Sequence, residues 1–142
     1  MDQFPNQLEL YRANTERAIN GKRGQSFLCE LRDALLALPQ KRLIGGSFSE
    51  EGEVCALGAL ALQRRLKEGK TLDEALDEVA REFNEQEDGY VADRLGASFN
   101  IVWEIMYLND GEYRFGYRNP EERYMAMLGW VENALKGASQ KD

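Results

Sequence analysis

Apolar residues recur at helical spacing through most of the chain and at strand spacing almost nowhere. From about Asn6 to Ile19, Leu8, Tyr11, Thr15 and Ala18 mark one helical face, with Pro5 ahead and Asn20-Gly21 as a stop. A second helix is predicted to begin near Gln25 or Ser26. Phe27, Leu28, Leu31, Leu35 and Leu38 form its core-facing stripe, and Pro39 ends it. Residues Lys41 to Phe48 and Gly52 to Cys55 flank Ser49-Glu50-Glu51 and predict a small β-hairpin or extended element near 41–55, which must lie on the helices to be stable. From about Cys55 to Lys67 the chain turns helical again. Ala56, Gly58, Ala59 and Ala61 let a neighbour approach closely there, so this helix reads as buried, with Gly69 as its stop. Thr71-Leu72-Asp73-Glu74 is a capping box that opens a helix bearing Ala75, Leu76, Val79, Ala80 and Phe83, followed by a polar, acidic break from Asn84 to Gly89. Asn119-Pro120-Glu121-Glu122 starts a last helix with Tyr124, Met127, Leu128, Val131 and Leu135 on its apolar face and Gly137 beyond it.

These elements predict a mainly α, single compact domain over 1–142, with five to seven helices, one small β element and a frayed tail at 138–142. The side chains expected to share its core are Leu31, Leu35, Leu57, Leu60, Leu76, Val79, Leu95, Val102, Ile105, Leu128 and Val131.

Residues 90–105 resemble a helix-turn-helix. Ala92 is the small residue where the helices cross, Gly96 supplies a left-handed turn and Ser98 caps the second helix. Val91, Leu95, Val102 and Ile105 are its buried contacts. In that motif the start and outer face of the second helix read bases, which here means Ser98, Phe99, Asn100 and Trp103 beside Glu104. Asn100 has the donor and acceptor for an adenine edge. The face lacks Lys and Arg, however, and Arg94 is the nearest cation for a phosphate. Phe99 and Trp103 stand i, i+4. Buried, they are core; exposed, they are the aromatic anchors found at interface centres.

Charge sharpens that choice. The chain of 142 residues carries −7 overall, distributed as +2 over 1–49, −10 over 50–112 and +1 over 113–142. An acidic middle repels phosphate backbones and suits a basic protein partner, or keeps the domain soluble. Its densest part is the helix with Asp73, Glu74, Asp77 and Glu78, where Asp73/Asp77 and Glu74/Glu78 set like charges at i, i+4. These four acids, with Phe99 and Trp103, are the candidate partner-binding residues.

Catalytic chemistry is scarce. The absence of His removes the commonest general base and zinc ligand. Two Cys make neither a four-thiolate metal site nor a disulfide framework, and Cys55 among apolar neighbours reads as inert core. Asn109-Asp110-Gly111-Glu112 lacks the alternating acids of a calcium loop and reads as a turn. Gly21-Lys22-Arg23-Gly24 reads either as an anion-holding joint ahead of a helix or as a plain interhelical turn. Tyr107, Tyr113, Phe115 and Tyr117 interleave with Arg114 and Arg118, as packing with local cation–π contact or as an RNA-type pattern. No catalytic residue, metal or cofactor is assigned. The start of the chain lacks the basic-then-apolar pattern of a secretory signal, and the longest apolar run, Val54 to Leu62, is about half a membrane span, so a cytoplasmic protein is expected.

Three runs carry a further resemblance. They are Arg23-Gly24-Gln25 with Leu31 to Leu35, Lys41 to Ile44 with Gly52 to Leu60, and Ala92 to Gly96 with Glu104 to Asp110 and Pro120 to Arg123. Over roughly 20–131 the chain is similar to small uncharacterised proteins of tailed phages and prophages, with Leu62 to Phe83 as its own segment. The resemblance implies a setting, phage biology inside a bacterial cell, and no activity or site residues. The expected function is therefore a non-enzymatic, phage-type protein that binds a host or phage protein. Inhibition of a bacterial defence or regulatory complex, in an anti-defence or anti-CRISPR-like role, is the expected effect. A DNA-binding regulator using residues 90–108 is the alternative. Duplex DNA should bind no tighter than about 10⁻⁴ to 10⁻⁶ M at physiological salt, the range of non-specific contact. A gel shift below micromolar that is lost in Asn100→Ala would put the regulator first.

Overall fold

Two asparagines organise the way the helices meet. The computed structural model describes residues 7–111, 117 and 119–135, and among these it has seven helices and one two-stranded antiparallel sheet. The helices are α1 (Gln7–Asn20), α2 (Lys22–Ala37), α3 (Ala56–Lys67), α4 (Leu72–Phe83), α5 (Asp88–Leu95), α6 (Phe99–Asn109) and α7 (Pro120–Ala134). The strands are β1 (Ser49–Glu50) and β2 (Glu53–Val54). The mainly α architecture with a small hairpin is the one the hydrophobic pattern predicts.

At the centre α2 packs against α3 and α7, while α3 also meets α4 and α6. Leu28, Leu31 and Leu35 of α2 are fully buried against Leu57 and Leu60 of α3, in one cluster with Val79, Val91, Val102, Ile105, Met127 and Val131. Of the eleven expected core residues nine are buried. Leu76 and Leu128 are only half-buried, because each sits at the edge of its helix's apolar stripe. Tyr113, Arg114, Phe115, Arg118, Gly137 and the tail 138–142 lie outside the described residues.

The first departure from the sequence reading is at the start of α2. It begins at Lys22, so Arg23 and Gly24 lie inside its first turn and the joint to α1 is Gly21 alone. The reason is steric. A Cβ on Gly24 would stand 1.9 Å from the Ala18 carbonyl oxygen, so the glycine lets α2 start directly against the end of α1. Arg23 is not held for an anion, since its guanidinium donates twice to the Gly96 carbonyl, at 2.9 and 3.1 Å.

The hairpin is also shorter than the flanking pattern suggests. Ser49 pairs with Val54 and Glu50 with Glu53, and the turn falls on Glu51-Gly52, both at positive φ (52° and 81°), the conformation of a tight two-residue hairpin. Residues 41–48 form no strand. They are pinned instead: the Leu43 amide donates to the Pro120 carbonyl, the Ile44 amide to the Val54 carbonyl, and the Asn84 side chain accepts from the amides of Phe48 and Ser49 while donating back to the Ser49 carbonyl.

The second asparagine is Asn109, at 2% exposure. It is the last residue of α6 and not part of a surface turn. Its carboxamide donates to the Ile44 carbonyl at 2.9 Å and accepts from the Ala56 amide at 3.0 Å, joining the loop and the start of α3. Its own carbonyl accepts from Arg123 at 2.6 Å, which brings in α7.

α3 approaches this loop so closely that a Cβ on Gly58 would stand 2.0 Å from the Phe48 carbonyl oxygen. Gly58→Ala should therefore cost about 1–3 kcal/mol through displaced backbone. Gly129→Ala, in α7 with open space around the new methyl, should raise stability by about 0.4–1 kcal/mol. Chemical unfolding of the two variants checks the pair; equal effects would mean that α3 does not need its glycine.

Candidate functional site

Helix α6 follows α5 through Gly96, which takes the left-handed conformation (φ 76°, ψ 29°), and Ala97-Ser98, and the Ser98 hydroxyl accepts from the Ile101 amide to start it. Val91, Ala92, Leu95, Val102 and Ile105 are buried between the two helices and the core. The other face of α6 meets α1. There the Asn100 side chain donates to the Thr15 hydroxyl at 3.3 Å, and the Tyr11 hydroxyl donates to the Glu104 carboxylate at 2.8 Å. Of the polar groups on the expected base-reading face, Asn100 and Glu104 are thus engaged by α1, and Ser98 is engaged in capping α6.

What this contact leaves open is aromatic. Phe99 is 51% exposed, Trp103 36% and Tyr107 39%, and they follow one another at i, i+4 and i+8 along α6, a span of about 12 Å. Across from them Leu8 of α1 is 56% exposed, although the helical pattern places it on the face expected to be buried. Between the helices runs a groove of about 530 Å³, walled by Leu8, Tyr11 and Arg12 on one side and by the α6 aromatics with Glu104 and Leu108 on the other. Trp103 stacks on Tyr107 (centroids 5.1 Å apart, planes 10° apart) and meets Tyr11 in a T-shaped contact at 5.2 Å. Tyr11, Trp103 and Tyr107 therefore support one another across the groove.

Burial and the Glu104 hydrogen bond push the Tyr11 hydroxyl up to about 12. The Cys55 thiol is likewise raised to about 12, by burial; it caps α3 by accepting from the Gly58 amide and is the opposite of an activated nucleophile. Among the described residues no group of three or more His, Cys, Asp or Glu is arranged to hold a metal ion, and no helix is long and apolar enough to cross a membrane.

The acidic candidates lie elsewhere, on α4, which packs on α3 and β1. Glu74 closes the capping box with Thr71, and those contacts lower its carboxyl. Glu78 is bridged by Lys70 at 2.9 Å and Arg65 at 3.1 Å, Lys70 first in lowering its carboxyl, and Asp77 pairs with Arg81 at 2.9 Å. Asp73 is exposed in the first turn. Two of the four acids in the like-charge ladder read from the sequence, Asp77 and Glu78, are thus paired with cations from within the chain. Asp73, Glu74, Asp77 and Glu78 are not brought to the groove that Phe99 and Trp103 share. Sequence reasoning missed Leu8, Tyr11, Arg12 and Tyr107 as groove residues, because their role depends on how α1 crosses α6.

Comparison with known proteins finds no matching family model, no matching curated protein and no matching solved structure.

The raised Tyr11 group gives the groove a pH signature. A hydroxyl whose folded-state value exceeds its unfolded value near 10 contributes stability that is present below pH 10 and lost as pH rises toward about 12. Tyr11→Phe should flatten that part of the alkaline stability curve, as measured by urea unfolding between pH 9 and pH 12. An unchanged slope would show that neither burial nor the Glu104 contact raises the hydroxyl.

Proposed function

We propose that this protein binds another protein through the α1–α6 groove and acts by occupying that partner's surface, without catalysis. In keeping with the resemblance to phage and prophage proteins, the partner we propose is a host or phage protein of a defence or regulatory complex in a bacterial cell. The observation that carries the reading is the exposed run Phe99, Trp103 and Tyr107 facing Leu8. Large apolar side chains gathered in one open groove have a cost in water that a folded monomer ordinarily avoids, and Trp and Tyr at a concave centre are the side chains that dominate binding energy at interfaces. The engagement of Asn100 and Glu104 by α1 weighs against base reading on the same face.

Affinity capture of the full chain from bacterial lysate, repeated with Trp103→Ala and Phe99→Ala, tests it. Each truncation should weaken a captured partner by roughly 2 kcal/mol or more, about thirtyfold. Thermal unfolding should be little changed in Phe99→Ala, half of whose side chain stands in solvent, and modestly lowered in Trp103→Ala, which also loses its ring contacts with Tyr11 and Tyr107. A partner retained equally by all three proteins would place the interface elsewhere. Recovery of specific DNA would favour the regulator.

A further inference from the structure

We propose that the anchor which the α1–α6 groove takes from its partner is an alkylammonium ion, the head of a lysine side chain. This rests on the docking reading above and supplies its chemistry. Four aromatic rings, Tyr11, Phe99, Trp103 and Tyr107, line one cavity, and the Tyr11 and Trp103 planes stand 72° apart, so the rings do not all present the same aspect to it. The face of an aromatic ring carries the negative end of its quadrupole and attracts a cation within about 6 Å of its centre. Elsewhere the protein uses this contact internally: Lys41 lies over Tyr124, Arg65 over Phe83, Arg94 over Tyr90 and Arg123 over Tyr117. Among the described residues no cation stands over Tyr11, Phe99 or Trp103.

The same lining holds a full negative charge. Glu104 accepts one hydrogen bond from Tyr11, and a carboxylate has about four acceptor positions, so it can take an ammonium as well. Leu8 and Leu108 supply the apolar wall along which a four-carbon stem would run. Stem, rings and carboxylate thus match the parts of a lysine in order. Among the described residues Arg12 is the one lining residue of the wrong sign, and it sits where it would temper the affinity. The whole chain's −7 favours the approach of a basic partner in the same sense.

The test uses the full chain and three probes followed by the shift of the Trp103 indole resonance. They are Nα-acetyl-lysine methylamide, its uncharged counterpart Nα-acetyl-norleucine methylamide, and choline as a free ammonium ion. The lysine probe should bind about tenfold more tightly than norleucine, the gain expected when a cation meets ring faces and a carboxylate. Glu104→Gln should remove most of that preference, and Arg12→Gln, which leaves the Tyr11–Glu104 contact in place, should strengthen lysine binding. Norleucine binding as well as lysine, no shift of Trp103 with either, or weaker lysine binding in Arg12→Gln overturns the proposal. Choline binding as tightly as lysine would overturn the lysine assignment in favour of a small free cation. A captured partner that depends on Trp103, in a protein whose groove shows no preference for lysine, overturns the anchor and leaves the docking reading standing.

Discussion

The fold depends on one carboxamide that has no freedom to be anything else. Asn109 sits where the end of α6, the loop before the hairpin and the first turn of α3 converge, and it satisfies a carbonyl of one and an amide of another at once. The Ala56 amide is cut off from water and the Ile44 carbonyl partly so, and leaving the buried amide unpaired would cost about 1–3 kcal/mol. A hydrophobic side chain of the same size fills the space but answers neither group. Through the Arg123 contact to the Asn109 carbonyl, α7 is held to the same point. The position of α6, and with it the line of its exposed aromatics, is therefore fixed from the end opposite Phe99.

Much of this architecture is legible in the sequence, and the reasons are local. The Thr71–Glu74 capping box, the small-residue run of α3, and Pro120 behind Asn119 each act within one turn of helix, so their signals need no knowledge of distant chain. What escapes a local reading is long-range pairing of polar groups. Asn84 and Asn109 look like punctuation between elements, and in isolation they are; they become clamps only when the chain returns 35 to 65 residues away. The early start of α2 escapes for a related reason, since Gly24 signals a loop until the end of α1 is seen to lie against it.

The candidate site divides in the same way. Phe99 and Trp103 stand out because i, i+4 spacing on a helix is visible in one dimension. Whether they face core or water is decided by α1, which buries only Thr15 among its fourteen residues and covers the polar positions of α6 while leaving its rings partly in solvent. The acids of α4 are a different case. Their spacing is real, but Arg65 and Lys70 reach them from the end of α3 and just beyond it, and Arg81 from within α4.

The single-residue joint at Gly21 sets the mechanics of the groove. A linker of one residue gives α1 no slack against α2, and the Tyr11–Glu104 and Asn100–Thr15 hydrogen bonds fix where it lies along α6. The groove is thus a ruler with a fixed scale: the order in which rings, carboxylate and leucines meet what enters it is set before it enters.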